Sequence, residues 1–343
     1  MFNIESMALQ KKIILISSGD PSSIAPEITI KALQSKKINE ATLPIIITDP
    51  KLIYNYCDAF DVHWKVNEIH DQINFTDYKT NCFNVIPIKT NDTVILGKPS
   101  IANCSFIKKS IIKCIELENT SNASAIVTNP INKNVMYKSG FKYNGHTEFL
   151  ASFSKKNIQP VMMLVGRNLK TIPLTIHVPL SQVSSLITEE LIITTIKITA
   201  KYLRSYFGIK KPKIILTGLN PHSGENGDIG TEEQEIIIPA IKKIQKYNDF
   251  LLDGPFAADS VFSYEARQNY DVAICMYHDQ ALIPIKTLDF HNGVNVTLGL
   301  DFIRTSPDHG TGFDIAGKTI ANPDSLISAI NLAHLMSVNK DNE

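Results

Sequence analysis

The chain has 343 residues, 43% of them apolar and 20% charged, and its 34 basic and 34 acidic side chains give a formal net charge of +0. That length suffices for two ordinary domains with separate cores, and the charge balance excludes the footprint of a nucleic-acid or membrane-surface protein. Cys57, Cys82, Cys104, Cys114 and Cys275 are odd in number and form no CxxC pair, no uncharged apolar run approaches the roughly 18 residues of a membrane span, and "MFNIESMALQKK" has no signal arrangement, so a reducing, cytoplasmic location is expected.

In chain order, "KKIILISSGD" (11–20), "LPIIITDP" (43–50), "SAIVTNP" (124–130), "VMMLVG" (161–166), "KIILTGLNP" (213–221) and "VAICMYH" (272–278) read as buried strands, several rich in Ile and Val. Amphipathic stretches lie between and after them. "PSIANCSFIKKSIIKCIEL" (99–117), "TEELIITTIKITAKYLRSYF" (188–207), "TEEQEIIIPAIKKIQKY" (231–247) and "SLISAINLAHLMSV" (325–338) read as helices. Thr231 and Gln234 have the spacing of a capping box. This alternation predicts an α/β fold built on largely parallel sheets. No repeat or low-complexity tract is present, and composition marks no domain boundary.

In "DVAICMYHDQALIPIK" (271–286) an apolar run stops at Tyr277-His278-Asp279-Gln280 and then resumes. Buried polar groups cost free energy unless something bonds to them, so either the chain turns to solvent here or a ligand sits at the turn. The placement recurs. His177 follows "KTIPLTI", His222 follows "IILTGLNP" and His278 follows "VAICMY", each at the carboxyl end of a strand-like run, where open α/β sheets put their ligands. Three imidazoles suit a divalent transition metal, whereas a single strand-end histidine is more often a loop residue. Asp279 can orient an imidazole or act on its own, or be a plain turn aspartate.

A second group surrounds these. His146 and Thr147 in "YNGHTEFLA" precede an amphipathic stretch, where backbone N–H groups favour an anion, although Thr147 alone reads as a helix cap. Lys286, Asn295 and Arg304 in "IKTLDFHNGVNVTLGLDFIRTS" offer two cations and an amide to a phosphorylated or carboxylated substrate; the plainer alternative is a solvated basic face. "SPDHGTGFDIAGK" (306–318) is polar and glycine-rich, as a loop approaching a ligand closely should be, but it matches neither GxGxxG nor a P-loop.

Read together, "GDPSSIAPEI", "NGHTEFLA", "LNPHSGENGDIGTEEQEIIIPAI", "GPFAADSVF", "MYHDQ", "NVTLGLDFIRTSPDHGT" and "DIAGK" resemble the 4-hydroxythreonine-4-phosphate dehydrogenase family, in order from Gly19 to Lys318. The resemblance implies an isocitrate/isopropylmalate dehydrogenase-like fold, two α/β/α domains with the active site in the cleft between them. Residues 1–125 plus 290–343 would form one domain, and 126–289 the central domain with the metal ligands and dimer contacts. It further implies a homodimer with a shared active site, NAD, and one divalent ion (zinc, magnesium or cobalt) per site. His177, His222 and His278 match the metal ligands, with one reaching the site from the partner subunit. His146, Thr147, Lys286, Asn295 and Arg304 match the substrate-binding positions. His309, Gly310 and Asp314 would hold the adenosine half of NAD: His309 against the adenine, Gly310 letting the backbone approach, and Asp314 near the ribose.

The family reaction oxidises 4-phosphooxy-L-threonine to a β-keto acid that decarboxylates to 3-amino-2-oxopropyl phosphate, in pyridoxal phosphate biosynthesis. A divalent ion would lower the alcohol's pKa. Asp259, Asp279 and Lys286 are the candidate proton acceptors, with none assigned. Two alternatives are a dehydrogenase of a phosphorylated sugar acid such as threonate 4-phosphate, and a protein that binds phosphorylated metabolites or transfers acyl groups. The triple-histidine set speaks against the second. The chain departs from the family pattern at Ser23, Ala25, Asn129 and Asn132, the first three in place of glycines and the last of a histidine, which puts details of the N-terminal pocket in doubt.

Overall fold

The computed structural model describes residues 10–70, 73–143, 145–154 and 159–342; the start of the N-terminal stretch read above for a signal, through residue 9, lies outside them. The described strands are β1 (Lys12–Ser17), β2 (Thr42–Thr48), β3 (Lys65–Glu68), β4 (Cys82–Pro87), β5 (Ala123–Val127) and β6 (Val161–Gly166). They continue with β7 (Leu169–Thr175), β8 (Lys213–Thr217), β9 (Leu251–Phe256), β10 (Val272–Tyr277), β11 (Val294–Leu298) and β12 (Arg304–Pro307). The longer helices are α1 (Ala25–Leu33), α2 (Pro50–Ala59), α3 (Cys104–Thr120), α4 (Glu189–Phe207), α5 (His278–Asp289) and α6 (Asp324–Asp341).

The chain divides into two compact units. Unit 1 comprises the described residues up to 154 together with Leu300–Asn342, and unit 2 comprises Gln159–Gly299. In unit 1 the strands run β3-β4-β2-β1-β5-β12, with every neighbouring pair parallel. β1 is buried along its whole length, as its unbroken Ile-Leu run requires of a strand covered on both faces. α3 packs on β1, β2 and β5, and α6 on β12, β5, β1 and α1. The core joins Ile13, Leu15, Ile45, Phe106, Ile126 and Phe302, each such buried side chain contributing about 1.5–3 kcal/mol.

In unit 2 the order is β11-β6-β7-β10-β8-β9. β6 is antiparallel to both β7 and β11, while β7, β10, β8 and β9 are parallel. α4 begins where the Thr188 hydroxyl accepts the Leu191 N–H, carries Glu189 and Glu190 in its first turn, and stops at left-handed Gly208 (φ 66°).

The unit boundaries differ from the expected 125/126 and 289/290. Segment 126–154 stays in unit 1 because β5 pairs with β1 and β12, and because Met136, Phe141, Phe149 and Leu150 are buried in that unit's core. Residues 290–299 stay in unit 2 because β11 pairs with β6. The stretch resuming at Ala281 is a helix. His278 opens α5, directly after β10. The Thr231/Gln234 capping box does not form: Glu233–Ile237 is a π-helical turn, and the Gln234 amide donates instead to the Asn226 carbonyl (2.5 Å). All five cysteines are free, and burial pushes the Cys114 and Cys275 thiols far above the ordinary range. No described helix is long and apolar enough to cross a membrane.

Candidate active site

In unit 2, β7, β10 and β8 are adjacent and parallel, and His177, His278 and His222 follow their respective carboxyl ends. The rings of His177 and His278 lie with centroids 5.9 Å apart. Two imidazoles sharing one ion at about 2.0–2.1 Å per bond have ring centres roughly 5–6 Å apart, so this pair fits a common ion. The His278 Nδ1 is 2.7 Å from the Asp279 carboxylate, which leaves Nε2 to face a ligand and fixes the ring as a supporting carboxylate should. Among the described residues no three His, Cys, Asp or Glu side chains are gathered around one point; the structure draws together two of the three histidines, and His222 stays apart on its own loop.

Backbone strain collects at these loops. Eight described non-glycine residues have positive φ, and five of them are His177, His222, Ser223, Glu225 and Asn226. Such conformations persist only where surrounding structure holds them, typically at functional sites. Gln280 is one restraint, unanticipated from sequence: its Oε1 accepts from Thr217 Oγ1 (2.8 Å) and the Met276 N–H (2.7 Å), and its Nε2 donates to the Gly218 carbonyl (2.9 Å). It ties the end of β8 to the end of β10, and so the root of the His222 loop to His278. Asp259 and Asp279 line one pocket of about 380 Å³ with Phe262, Gln280 and Ile283. Lys286 lies outside it, its Nζ over the Phe290 ring at 5.5 Å. Asn295 stands in β11 opposite Leu164, with an enclosed Oδ1 that accepts no hydrogen bond. A cavity of about 600 Å³ beside β8 and β9 contains none of the candidate residues.

The other candidates lie in unit 1. Arg304 opens β12 and is only 3% exposed. Its Nε and Nη2 both donate to Thr128 Oγ1 (3.0 and 2.6 Å). Burial lowers its pKa to about 9, against the pull of the Glu148 carboxylate, so it stays charged at neutral pH. His146 begins the short helix His146–Ala151, with Thr147 next to it, partly buried. Burial, then the Arg304 and Lys133 charges, hold the His146 imidazole well below its ordinary pKa, and its enclosed Nε2 has no partner. A buried cation, a neutral imidazole and a second cation, Lys133, are groups suited to an anion. Lys133 and Thr128 were missed in the sequence; Lys133 immediately follows Asn132, so a departure from the family pattern marked its place.

The strand order β2-β1-β5 makes the carboxyl ends of β1 and β5 a switch point of the unit 1 sheet. Asp20 lies there, 2% exposed, and burial raises its pKa from the ordinary 3.8 to about 6 even though its carboxylate accepts the Ser22 N–H. The departures are accommodated locally. Ser23 and Ala25 have no positive φ, and the Ser23 hydroxyl donates to the Asp20 carbonyl (2.6 Å) and accepts the Ala25 N–H (3.0 Å) just ahead of α1. The Asn129 amide donates to the Ser17 carbonyl and Thr29 Oγ1, in space left open by left-handed Gly19, where a Cβ would sit 2.7 Å from that of Asn129. Asn132 caps Lys133–Lys138 by accepting the Val135 N–H.

The 309–318 loop is fastened at both ends to the N-terminal block. The Ile24 N–H donates to the Thr311 carbonyl (3.0 Å). The Ala321 N–H reaches the buried Glu27 carboxylate (2.9 Å). Lys31, paired with Glu27 at 2.7 Å, donates to the Thr319 and Ala321 carbonyls. Asp314 and Gly310 are exposed, and His309 Nδ1 is 3.0 Å from the Gly310 carbonyl. A Cβ on Gly310 would meet nothing within 4 Å. The need for glycine falls instead at Gly312, where φ is +51° and a Cβ would lie 3.1 Å from the Ile24 side chain.

Residues 40–333 match the family model of the pyridoxal phosphate biosynthetic protein PdxA. A 4-hydroxythreonine-4-phosphate dehydrogenase of Bradyrhizobium diazoefficiens is 43% identical over 343 residues, covering 96% of this chain and 98% of its own. One from Methylorubrum extorquens (strain PA1) is 42% identical, covering 96% of each chain. The crystal structure of the Klebsiella pneumoniae 4-hydroxythreonine-4-phosphate dehydrogenase superposes with a TM-score of 0.84 at 32% identity, covering 96% of this chain and all of that one.

Proposed function

We propose that this chain, which belongs to the pyridoxal phosphate biosynthetic protein PdxA family, oxidises 4-phosphooxy-L-threonine with NAD and a divalent metal ion. The net reaction converts the secondary alcohol to a ketone, reduces NAD to NADH and releases a proton. The resulting β-keto acid loses CO2 to give 3-amino-2-oxopropyl phosphate. The observation that carries the reading is the placement of His177, His278 and His222 after three adjacent parallel strands.

His177 and His278 would hold the ion, with His222 as third ligand and one of the three reaching the site from the second copy in a homodimer. Zinc, magnesium or cobalt bound there supplies a Lewis acid for the substrate oxygen. Asp279, engaged with His278, keeps that imidazole in its ligating tautomer. The proton acceptor is then drawn from Asp259 and Lys286. Arg304, His146 and Thr147, with Lys133, bind the phosphate in this reading, supported by the burial of the Arg304 charge. Lys286 and Asn295 contribute further polar contacts to the substrate. His309 and Gly310 would hold the adenosine half of NAD, and Asp314 would accept hydrogen bonds from its ribose hydroxyls.

NADH formation measured with 4-phosphooxy-L-threonine and with threonate 4-phosphate, each with and without divalent metal, tests this reading. Preference for the amino acid substrate and loss of turnover on chelation support it; a preference for the sugar acid overturns the substrate assignment.

A further inference from the structure

We infer that Glu233 is a positioning residue that holds the strained loop carrying His222, and thereby sets the affinity of the site for its metal ion. The inference rests on the reading of His222 as a ligand.

Residues His222, Ser223, Gly224, Glu225 and Asn226 are consecutive in left-handed conformation, with φ of 51°, 52°, 81°, 43° and 59°. An L-residue enters this region against a clash between its Cβ and backbone, and runs of such residues do not persist unaided. Four of these five carry side chains, so local sequence does not account for the shape. Something outside the turn must hold it.

Glu233 does so from across the loop. It is 1% exposed, yet its carboxylate is fully engaged. Oε1 accepts the N–H groups of Leu219 (2.7 Å) and Asn220 (2.8 Å), and Oε2 accepts the Asn220 side-chain amide (2.9 Å). Gly218 and Gly224 close around it: a Cβ on either would lie 2.9 or 2.7 Å from a Glu233 oxygen. Asn220 is held a second time by Glu232 (2.7 Å), and Gln234 takes the far end of the turn through the Asn226 carbonyl (2.5 Å). Three consecutive residues, Glu232, Glu233 and Gln234, thus grip both ends of the His222 turn.

They can do this because Glu233–Ile237 is a π-helical turn. A π-turn shifts the direction of successive side chains relative to an α-helix and is frequent at functional sites. Here it lets neighbouring residues reach the same loop. Groups that orient a ligating imidazole without touching the ion are worth roughly ten- to a hundredfold in metal affinity.

The test is zinc binding by calorimetric titration of the metal-stripped, full-length protein, comparing the parent with Glu233→Gln and Asn220→Ala. Both substitutions should weaken zinc binding by about tenfold or more, leave the KM for NAD unchanged, and lose turnover that excess zinc restores. Restoration by metal separates a displaced ligand from general loosening of the fold. Should Glu233→Gln not fold, Asn220→Ala decides, since Asn220 is only partly buried. Zinc affinity within about twofold of the parent in the folded variants overturns the proposal. A parent chain that takes up no divalent ion overturns the metal reading itself, and this inference with it.

Discussion

The ring centroids of His177 and His278 lie 5.9 Å apart, and the His278 Nδ1 is 2.7 Å from the Asp279 carboxylate. Asp279 is well exposed, and in the proposed reading it fixes the His278 tautomer rather than stabilising the fold. Asp279→Asn should lower metal affinity by roughly ten- to a hundredfold with little change in thermal stability. Metal titration beside a melting curve checks this, and unchanged metal affinity would remove Asp279 from that role.

Arg304 is a buried cation whose Nε and Nη2 both donate to Thr128, and whose charge acts on His146. Arg304→Ala should weaken binding of the phosphorylated substrate by about 2–5 kcal/mol, the cost of removing one member of a buried charged pair. Arg304→Lys should recover only part, because an ammonium lacks the planar fork. The KM for NAD should hardly move in either variant. Equal losses for substrate and NAD would show that Arg304 serves something other than the phosphate.

Asp314 stands exposed on the 309–318 loop; in the proposed reading its carboxylate would accept hydrogen bonds from the ribose hydroxyls and repel a 2′-phosphate. The parent should prefer NAD strongly over NADP, and Asp314→Ser or Asp314→Asn should erode that preference. The comparison is kcat/KM with each cofactor; an unchanged ratio clears Asp314 of the role.

Asp20 gives a pH signature. Its folded pKa, about 6, lies above the ordinary 3.8, so the native state binds more protons than the unfolded chain between those values. The stabilising contribution of the protonated form is therefore complete below about pH 4 and is lost as pH rises to about 6. Asp20→Asn keeps an acceptor for the Ser22 N–H and removes the buried charge. It should gain up to about 3 kcal/mol relative to the parent at pH 7–8 and flatten the change between pH 4 and 6. Denaturant melts across that range test it, and parallel profiles for parent and variant would contradict it.

The central strands were legible because burial on both faces writes itself as an unbroken apolar run, as in Ile13–Ile16 and Val272–Met276. β3 "KVNE" and β12 "RTSP" were not, since neither has such a run and their pairing is set by neighbours distant in sequence. The histidines were visible as strand-end residues, but their shared side of one sheet depends on the order β7-β10-β8, which no local pattern carries. The supporting groups were hidden for a related reason. Glu233 and Gln280 lie within helix-like or turn-like stretches and look like surface residues until the fold brings β8, β10 and the His222 turn to them. Family resemblance supplied the candidate residues; the packing around them is a property of the folded chain.

Metal-dependent oxidative decarboxylation is tested most directly by measuring NADH and CO2 released from 4-phosphooxy-L-threonine while metal is added back to stripped enzyme in known amounts. Both products should appear together, rise in proportion to bound metal and level off at one ion per site, with His222→Ala and His278→Ala giving neither. Full NADH formation in exhaustively metal-free protein would contradict it.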